Sequence, residues 1–384
     1  DYIAGVEYQF NIYVEGRTID GVSYLASNLA TIAINKQTSA ELTIEDYCLK
    51  FDSQIGENYR IEFALSDGND ITEQISAEAD SVEFDLSTYT FSAGVHEIKV
   101  THLGNNSNIF DSNTASISFV QLESIDEIQI DQGVVSVMIS EINTEADLKF
   151  VITGTKGTEL EFSENQIALN TTDPSEQNYL ENDSYNISLY VSGDGKNTFS
   201  PNGKNESVSA TRSFVVLDLP SVSLLDKDQA RLTLSSQLGV DQFNIYSIDQ
   251  GEPVLTDEIV ESFYDFSLAS GEMSIKIQAV GDGENYLDSK LSDEIKIIRL
   301  STPSLAYNNI TNVITKTDTN PSEYVQGFTF ELNGEQVDYS FDGSAFTHFS
   351  VGENVLTLKT NAIDALDGVY YLNSSECELV INKI

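Results

Sequence analysis

The side chains in this chain that could do chemistry are three histidines, many carboxylates, a few aromatic clusters and two thiols, and their spacing argues against most of it. His96, His102 and His348 fall in unrelated strand surroundings. No Gly-x-Ser-x-Gly, phosphate-cradling glycine loop, His-Glu-x-x-His or Cys-x-x-Cys motif accompanies them. His96 stands where an aromatic would begin a strand, which points to a structural role. The 62 Asp plus Glu make chance carboxylate pairs expected everywhere, so no pair signals a glycosidase. No catalytic, cofactor-binding or metal-ligating residue is therefore assigned, and the chain is expected not to be an enzyme. Calcium is the one cofactor worth testing. Asp282 and Asp288, with Asp111 and Asp194 at equivalent places, offer the oxygens that calcium takes. The competing reading makes Gly281-Asp282-Gly283 a hairpin turn and Asp288 a loop cap, and no complete Asp-x-Asp-x-Asp-Gly loop occurs.

Tyr370-Tyr371 or Phe263-Tyr264-Phe266 could serve as a sugar-stacking platform, but Trp is absent and most of the 18 Tyr and 19 Phe occupy strand positions that a core needs. Asn-x-Ser/Thr sequons at Asn105, Asn170, Asn182, Asn186, Asn205, Asn309 and Asn373 are near chance in a chain so rich in these residues. Cys48 and Cys377 lie in different repeats, so neither a disulfide nor a cysteine metal site is expected. The formal charge of −43, from 19 Lys plus Arg against 62 acids, excludes nucleic acid and an anionic membrane as partners. No run of about 18 apolar residues marks a membrane-spanning helix.

The elements that carry these residues repeat. Gly5-Val-Glu-Tyr-Gln-Phe-Asn-Ile12, Ser23-Tyr24-Leu25-Ala26-Ser27 and Ala30-Thr-Ile-Ala-Ile34 return in order four more times, the last as Gly352–Leu358, Tyr371-Leu372-Asn373-Ser374 and Cys377–Ile381. The closing serine of the middle element recurs at Ser27, Ser112, Ser200, Ser289 and Ser374, 85 to 89 residues apart. Leu122, Leu217 and Leu300 mark joints, two of which share a Pro-Ser pair at identical offsets, Pro220-Ser221 and Pro303-Ser304. The units are then 1–35, the C-terminal two strands of a truncated repeat, followed by 36–122, 123–217, 218–300 and 301–384. Their charges are −3, −11, −11, −10 and −8, so the acidity belongs to every unit and reads as a solvated surface.

Within a unit, apolar and polar residues alternate over short runs such as Tyr59-Arg-Ile61-Glu-Phe63, bounded by Asp67-Gly68 or Asn333-Gly334 turns. About seven short strands in some 85 residues describe a β-sandwich. The passage Leu49-Lys-Phe51 to Tyr59-Arg-Ile61 resembles the B-to-C passage of fibronectin type III domains. Gly5, Gly94, Gly271 and Gly352 resemble that family's approach to strand F. Ala279-Val-Gly-Asp-Gly-Glu-Asn-Tyr-Leu-Asp-Ser289 is similar to an F–G segment of fibronectin-like repeats in bacterial surface proteins. Phe51 and Leu234 stand where the family keeps a core Trp. The tyrosine expected near the start of strand F is present as Tyr8 and Tyr185 but replaced by His96, Met273 and Val355, so an Ig-like label fits equally. The expected architecture is all-β, a tandem array of Ig-like or fibronectin III-like sandwiches forming an elongated rod of roughly 150 Å.

A rod with no catalytic constellation implies a non-enzymatic extracellular surface protein of bacterial type, such as a stalk, adhesin shaft or fibre component. Its expected partners are protein or glycan ligands or copies of itself. The alternative is a glycan- or protein-binding module beside an unseen enzyme domain. Residues 1–35 leave Phe10, Ile12 and Ile32 without sandwich partners, so either the chain is an excerpt or a neighbouring molecule completes that unit.

Overall fold

The computed structural model describes residues 2–204, 207–235 and 237–384, apart from the Leu225 side chain. Period-2 alternation governs the strands. Asn58–Ala64 sends Tyr59, Ile61 and Phe63 inward, and Ser184–Ser192 does the same with Tyr185, Ile187, Leu189 and Val191. Apart from three single 3-10 turns, the described residues form strands and loops, and no helix is long and apolar enough to cross a membrane.

Three complete sandwiches share one strand order. In sandwich II the strands Thr43–Glu45, Cys48–Asp52 and Ser81–Asp85 form an A-B-E sheet. It faces a C′-C-F-G sheet of Asp70–Ser76, Asn58–Ala64, Gly94–His102 and Ala115–Gln121. Sandwich III repeats this with Gln129–Asp131, Val134–Ser136 and Gln166–Ala168 over Glu159–Phe162, Asp147–Gly154, Ser184–Ser192 and Val208–Val216. Sandwich IV sets Val222–Asp226, Arg231–Leu234 and Phe263–Asp265 over Glu252–Ile259, Gln242–Asp249, Gly271–Val280 and Ile295–Arg299. This is the fibronectin type III arrangement. Sandwich V keeps the four-stranded sheet, closed by Gly352–Ala362 and Cys377–Lys383, over a two-stranded A-B pair.

The first unit contributes strands F and G, Tyr8–Ile12 and Ala30–Lys36, as its sequence suggests, plus a small ribbon of Arg17–Ile19 and Val22–Tyr24 that the repeat pattern does not announce. Phe10, Ile12 and Ile32 are 41%, 59% and 52% exposed.

Phe51 and Leu234 are both buried in the cores, so smaller apolar groups fill the place of a core Trp. The Asn333-Gly334 turn has φ of +53° and +83°, as a two-residue hairpin requires. The accessible surface is 21875 Å² for 42.3 kDa. A compact monomer of that mass would expose about 15,000 Å², so the chain is a string of small domains and not one globule.

Candidate functional site at the joints

The recurring serine pins the F–G segment of each unit. Its hydroxyl accepts a hydrogen bond from a backbone N–H at the end of strand F in all five copies. The pairs are Val14 N to Ser27 Oγ (2.9 Å), His102 N to Ser112 Oγ (3.0 Å), Gly193 N to Ser200 Oγ (3.0 Å), Ala279 N to Ser289 Oγ (3.0 Å) and Thr360 N to Ser374 Oγ (2.9 Å). The residue before it adds a second acceptor in three copies, from Gly104 N to Asp111, Gly281 N to Asp288 and Ala362 N to Asn373. The returning chain runs so close to strand F that a Cβ on Gly104 or Gly281 would lie 2.0 or 2.1 Å from the carbonyl oxygen of Ile109 or Tyr286. Glycine is required there by space.

Held this way, the F–G segment reaches back and pairs in parallel with the G strand of the preceding sandwich. Ile109–Phe110 joins Asn35 and Lys36, Thr198–Phe199 joins Val120 and Gln121, Tyr286–Leu287 joins Val215 and Val216, and Val369–Leu372 joins Lys296 to Arg299. We call these short strands hooks. The next N–H along each G strand is also taken, from Leu122 to Phe199 O (2.9 Å), Leu217 to Leu287 O (3.0 Å) and Leu300 to Leu372 O (3.1 Å). Each hook also carries an apolar plug. Phe199 is buried in the core of sandwich II, its ring 4.0 Å from that of Phe119, and Tyr47 Oη meets Ser200 Oγ at 2.6 Å. Leu287 belongs to the core of sandwich III, and Leu372 to that of sandwich IV. Phe110, in the first joint, stacks on Tyr2 at 5.4 Å and stays 41% exposed.

A side-chain amide grips the residue after each joint leucine. Glu123 N donates to Asn143 Oδ1 (2.8 Å) while Asn143 Nδ2 donates to Glu123 O (2.9 Å). Gln237 holds Asp218 through the same pair of bonds at 3.1 and 2.5 Å, and Asn320 holds Ser301 at 2.7 and 2.9 Å. An amide supplies one donor and one acceptor in a plane, so it closes the linker's backbone as a strand partner would. Leu122 and Leu217 pack with the core that follows them, and Leu300 lies in a joint cluster with Tyr371 and Ala362.

The carboxylates weighed as calcium ligands are occupied by N–H donors. Asp194 Oδ1 accepts from Lys196, Asn197 and Thr198 N, each at 2.8 Å, and Asp282 Oδ1 accepts from Glu284, Asn285 and Tyr286 N at 2.7–2.8 Å. Burial pushes both carboxyls up, and these N–H donors more than offset it, leaving them below the ordinary aspartate value. Asp288 is raised by burial, opposed only in part by Gly281 N–H. Asn105 caps the corresponding loop of sandwich II. Among the described residues no three His, Cys, Asp or Glu side chains converge as a metal group.

The histidines are structural neighbours of aromatic rings. His102 stacks on Tyr59 at 4.4 Å with Nε2 2.6 Å from Glu57, a close approach that is not aligned as a hydrogen bond. His348 sits beside Phe346. At the start of strand F, Tyr185 Oη donates to Glu181 O (2.9 Å), His96 Nε2 to Ser92 O (2.7 Å) and Asn354 Nδ2 to Ser350 O (2.8 Å), each reaching four residues back. Asn354, opposite Ile381, holds this place in sandwich V, not Val355, which pairs one step further on with Val380. The aromatic pairs are spoken for as well. Tyr370 Oη donates to Val222 O (2.7 Å) across a joint, Tyr371 is buried, and Arg231 covers the ring of Phe263 at 4.4 Å. Asn373 Nδ2 donates to Asp228, and Asn205 lies outside the described residues.

An open hollow of about 560 Å³ beside one hook is lined by Thr153, Tyr185, Asn186, Phe214, Asn285 and Tyr286 and their neighbours, with no acid, base or thiol other than tyrosine. Sequence reasoning found the serines but missed the amide clamps, whose only signal is an amide some 20 residues after each joint leucine.

No protein-family model matches the chain, and no curated protein matches it. Among solved structures, the FN1–FN3 domains of chicken CNTN1 align at 10% identity and a TM-score of 0.24, covering 68% of this chain and 97% of that one. A two-domain fibronectin type III segment of chicken tenascin aligns at 11% and 0.21, covering 46% and 98%. A tetra-tandem repeat from the extending region of a large adhesion protein aligns at 14% and 0.20, covering 90% and 100%. At such values the fold assignment rests on the strand order itself.

Proposed function

We propose that the chain is a non-enzymatic spacer, a stiff stalk or adhesin shaft that holds a binding element away from a cell surface, of bacterial type. The observation that carries this reading is the interlock at its joints, where each hook completes the sheet of the sandwich before it and the three later ones also fill its core. A chain of domains on free linkers would bend at every linker. At the three later joints hook, plug and amide clamp act on the same few residues, and bending one of these joints must break several hydrogen bonds and expose a buried Phe or Leu. Domain limits at 35/36, 122/123, 217/218 and 300/301 are part of the same proposal, the first falling one residue inside the strand Ala30–Lys36, with Leu122 and Leu217 packing on the unit that follows them. The load of about ten negative charges on each complete unit keeps such rods solvated and apart.

The role is tested by reach. With one end of the chain fixed to a bead and the other biotinylated, the hydrodynamic shell should be about 150 Å thick and shorten by about 35 Å for each sandwich removed. A shell that stays collapsed and does not scale with sandwich number would overturn it. Strong, selective binding on a glycan and matrix-protein array would favour a binding module instead.

A further inference from the structure

The G strand of sandwich V, Cys377–Lys383, pairs with Gly352–Ala362 on one side. Among the described residues no strand is hydrogen-bonded along its other edge. The ladders fix which residues correspond across sandwiches. Gly94 faces Gln121, Gly271 faces Arg299 and Gly352 faces Lys383, so Asn382 and Lys383 stand where Val120 and Gln121 receive a hook. Ile384 then occupies the position of Leu122, Leu217 and Leu300. Those three leucines are 1–2% exposed under the sandwich that follows each. One step inward, Phe119, Phe214 and Ile297 are 0–2% exposed beside a plug, while Ile381 at the same position is only half-buried.

We propose that the edge Val380–Ile384, with Ile381 behind it, is a docking surface for the hook of a further sandwich of this type set directly after it in series. The occupant is defined by the three joints already present. It is a two- to four-residue strand ending in Phe or Leu, pinned by a serine two or so residues later, and running parallel to Asn382 and Lys383. Its Phe or Leu covers Ile381, and an amide from the same sandwich closes on the residue after Ile384. Like charge on the two partners is no obstacle, since the existing joints bring together units that are all acidic. The inference stands on the joint geometry and holds whether or not the rod serves as a spacer.

The test extends the full chain by a second copy of residues 301–384 placed after Ile384, compared with the chain carrying a flexible Gly/Ser tail at the same point. Amide exchange at Lys383 and Ile384 should slow by about tenfold or more in the extended chain. Leu372→Ala in the added copy alone should return both to the rate of the tailed control. An added copy that folds, shown by slow exchange of its own strands, while Lys383 and Ile384 exchange as in the control, overturns the proposal. Should that copy fail to fold, a copy of residues 218–300 in the same place carries its own hook, Tyr286–Leu287, and its own amide, Gln237. It is held to the same two outcomes.

Discussion

Replacing Leu372 by alanine should destabilise a sandwich other than the one whose chain carries it. Leu372 lies between strands F and G of sandwich V, yet its side chain is 0% exposed in the core of sandwich IV with Leu217, Leu232, Leu234, Ile245 and Ile297. Truncating a fully buried leucine costs about 2–5 kcal/mol through lost burial and the cavity left behind. A loss of about 3 kcal/mol is a large part of the 5–15 kcal/mol that holds a small domain together. It should lower the melting temperature of sandwich IV by roughly 12–24 °C, given a domain of this size. Native-state hydrogen exchange read by mass spectrometry assigns the loss to residues. Protection of the slow amides at Phe243, Ile245, Ile275 and Ile277 should fall by roughly a hundredfold, since about 1.4 kcal/mol is a factor of ten. Amides at Phe330, Leu356 and Leu358, in the core of sandwich V, should change far less. Loss confined to residues 301–384, with sandwich IV untouched, would refute the claim that each core is completed from the following unit.

Asp288→Asn should stabilise the joint between sandwiches III and IV at neutral pH. Burial raises the Asp288 pKa in the folded state, so its cost to stability appears as pH rises through that value. Asparagine keeps an acceptor for Gly281 N–H, as Asn373 does for Ala362. The gain, measured by urea denaturation, should shrink on acidification and vanish where Asp288 is protonated in both states. Asp194 and Asp282 have the opposite sign, their folded pKa values lying below the ordinary aspartate value. Their contribution is complete above that pH and is lost as pH falls through the lowered values, so exchange at Thr198 and Tyr286 N–H should quicken only in strong acid. Tyr185→Phe removes the hydrogen bond to Glu181 O and should cost about 0.5–1.5 kcal/mol in sandwich III by chemical denaturation; an unchanged midpoint would deny that corner a stabilising role.

The sandwich type was legible because strand alternation and positive-φ turns are local, and each run of five to nine residues carries its own signal. The serine repeat was legible for a chemical reason: one hydroxyl must accept a strand F amide, so the residue type persists while its neighbours vary. What the serine anchors was not legible. A hook pairs through as few as two residues with a strand about 80 positions away, and nothing in Thr198–Phe199 names Val120–Gln121 as its partner. The corner at strand F misled a search for aromatics, because in sandwiches II, III and V the place holds a donor that reaches a carbonyl four residues back, while in sandwich IV Met273 fills it by packing on the core. Histidine and asparagine meet that need at His96 and Asn354 as tyrosine does at Tyr185. The acidic loops left a turn and a calcium site both open in the sequence, the turn favoured, and the amides that bond Asp194 and Asp282 have directions that only the folded backbone defines.

Small-angle X-ray scattering of the full chain tests the interlocked rod most directly. A stiff rod of about 150 Å has a radius of gyration of about 43 Å, with a skewed pair-distance distribution ending near its length. A compact chain of this size would give about 21 Å. The account predicts a value near the rod limit that does not change between low and moderate salt, because joints held by hooks and plugs do not depend on charge repulsion. A value near the compact limit, or one that falls steadily as salt screens the acidic units, would contradict it.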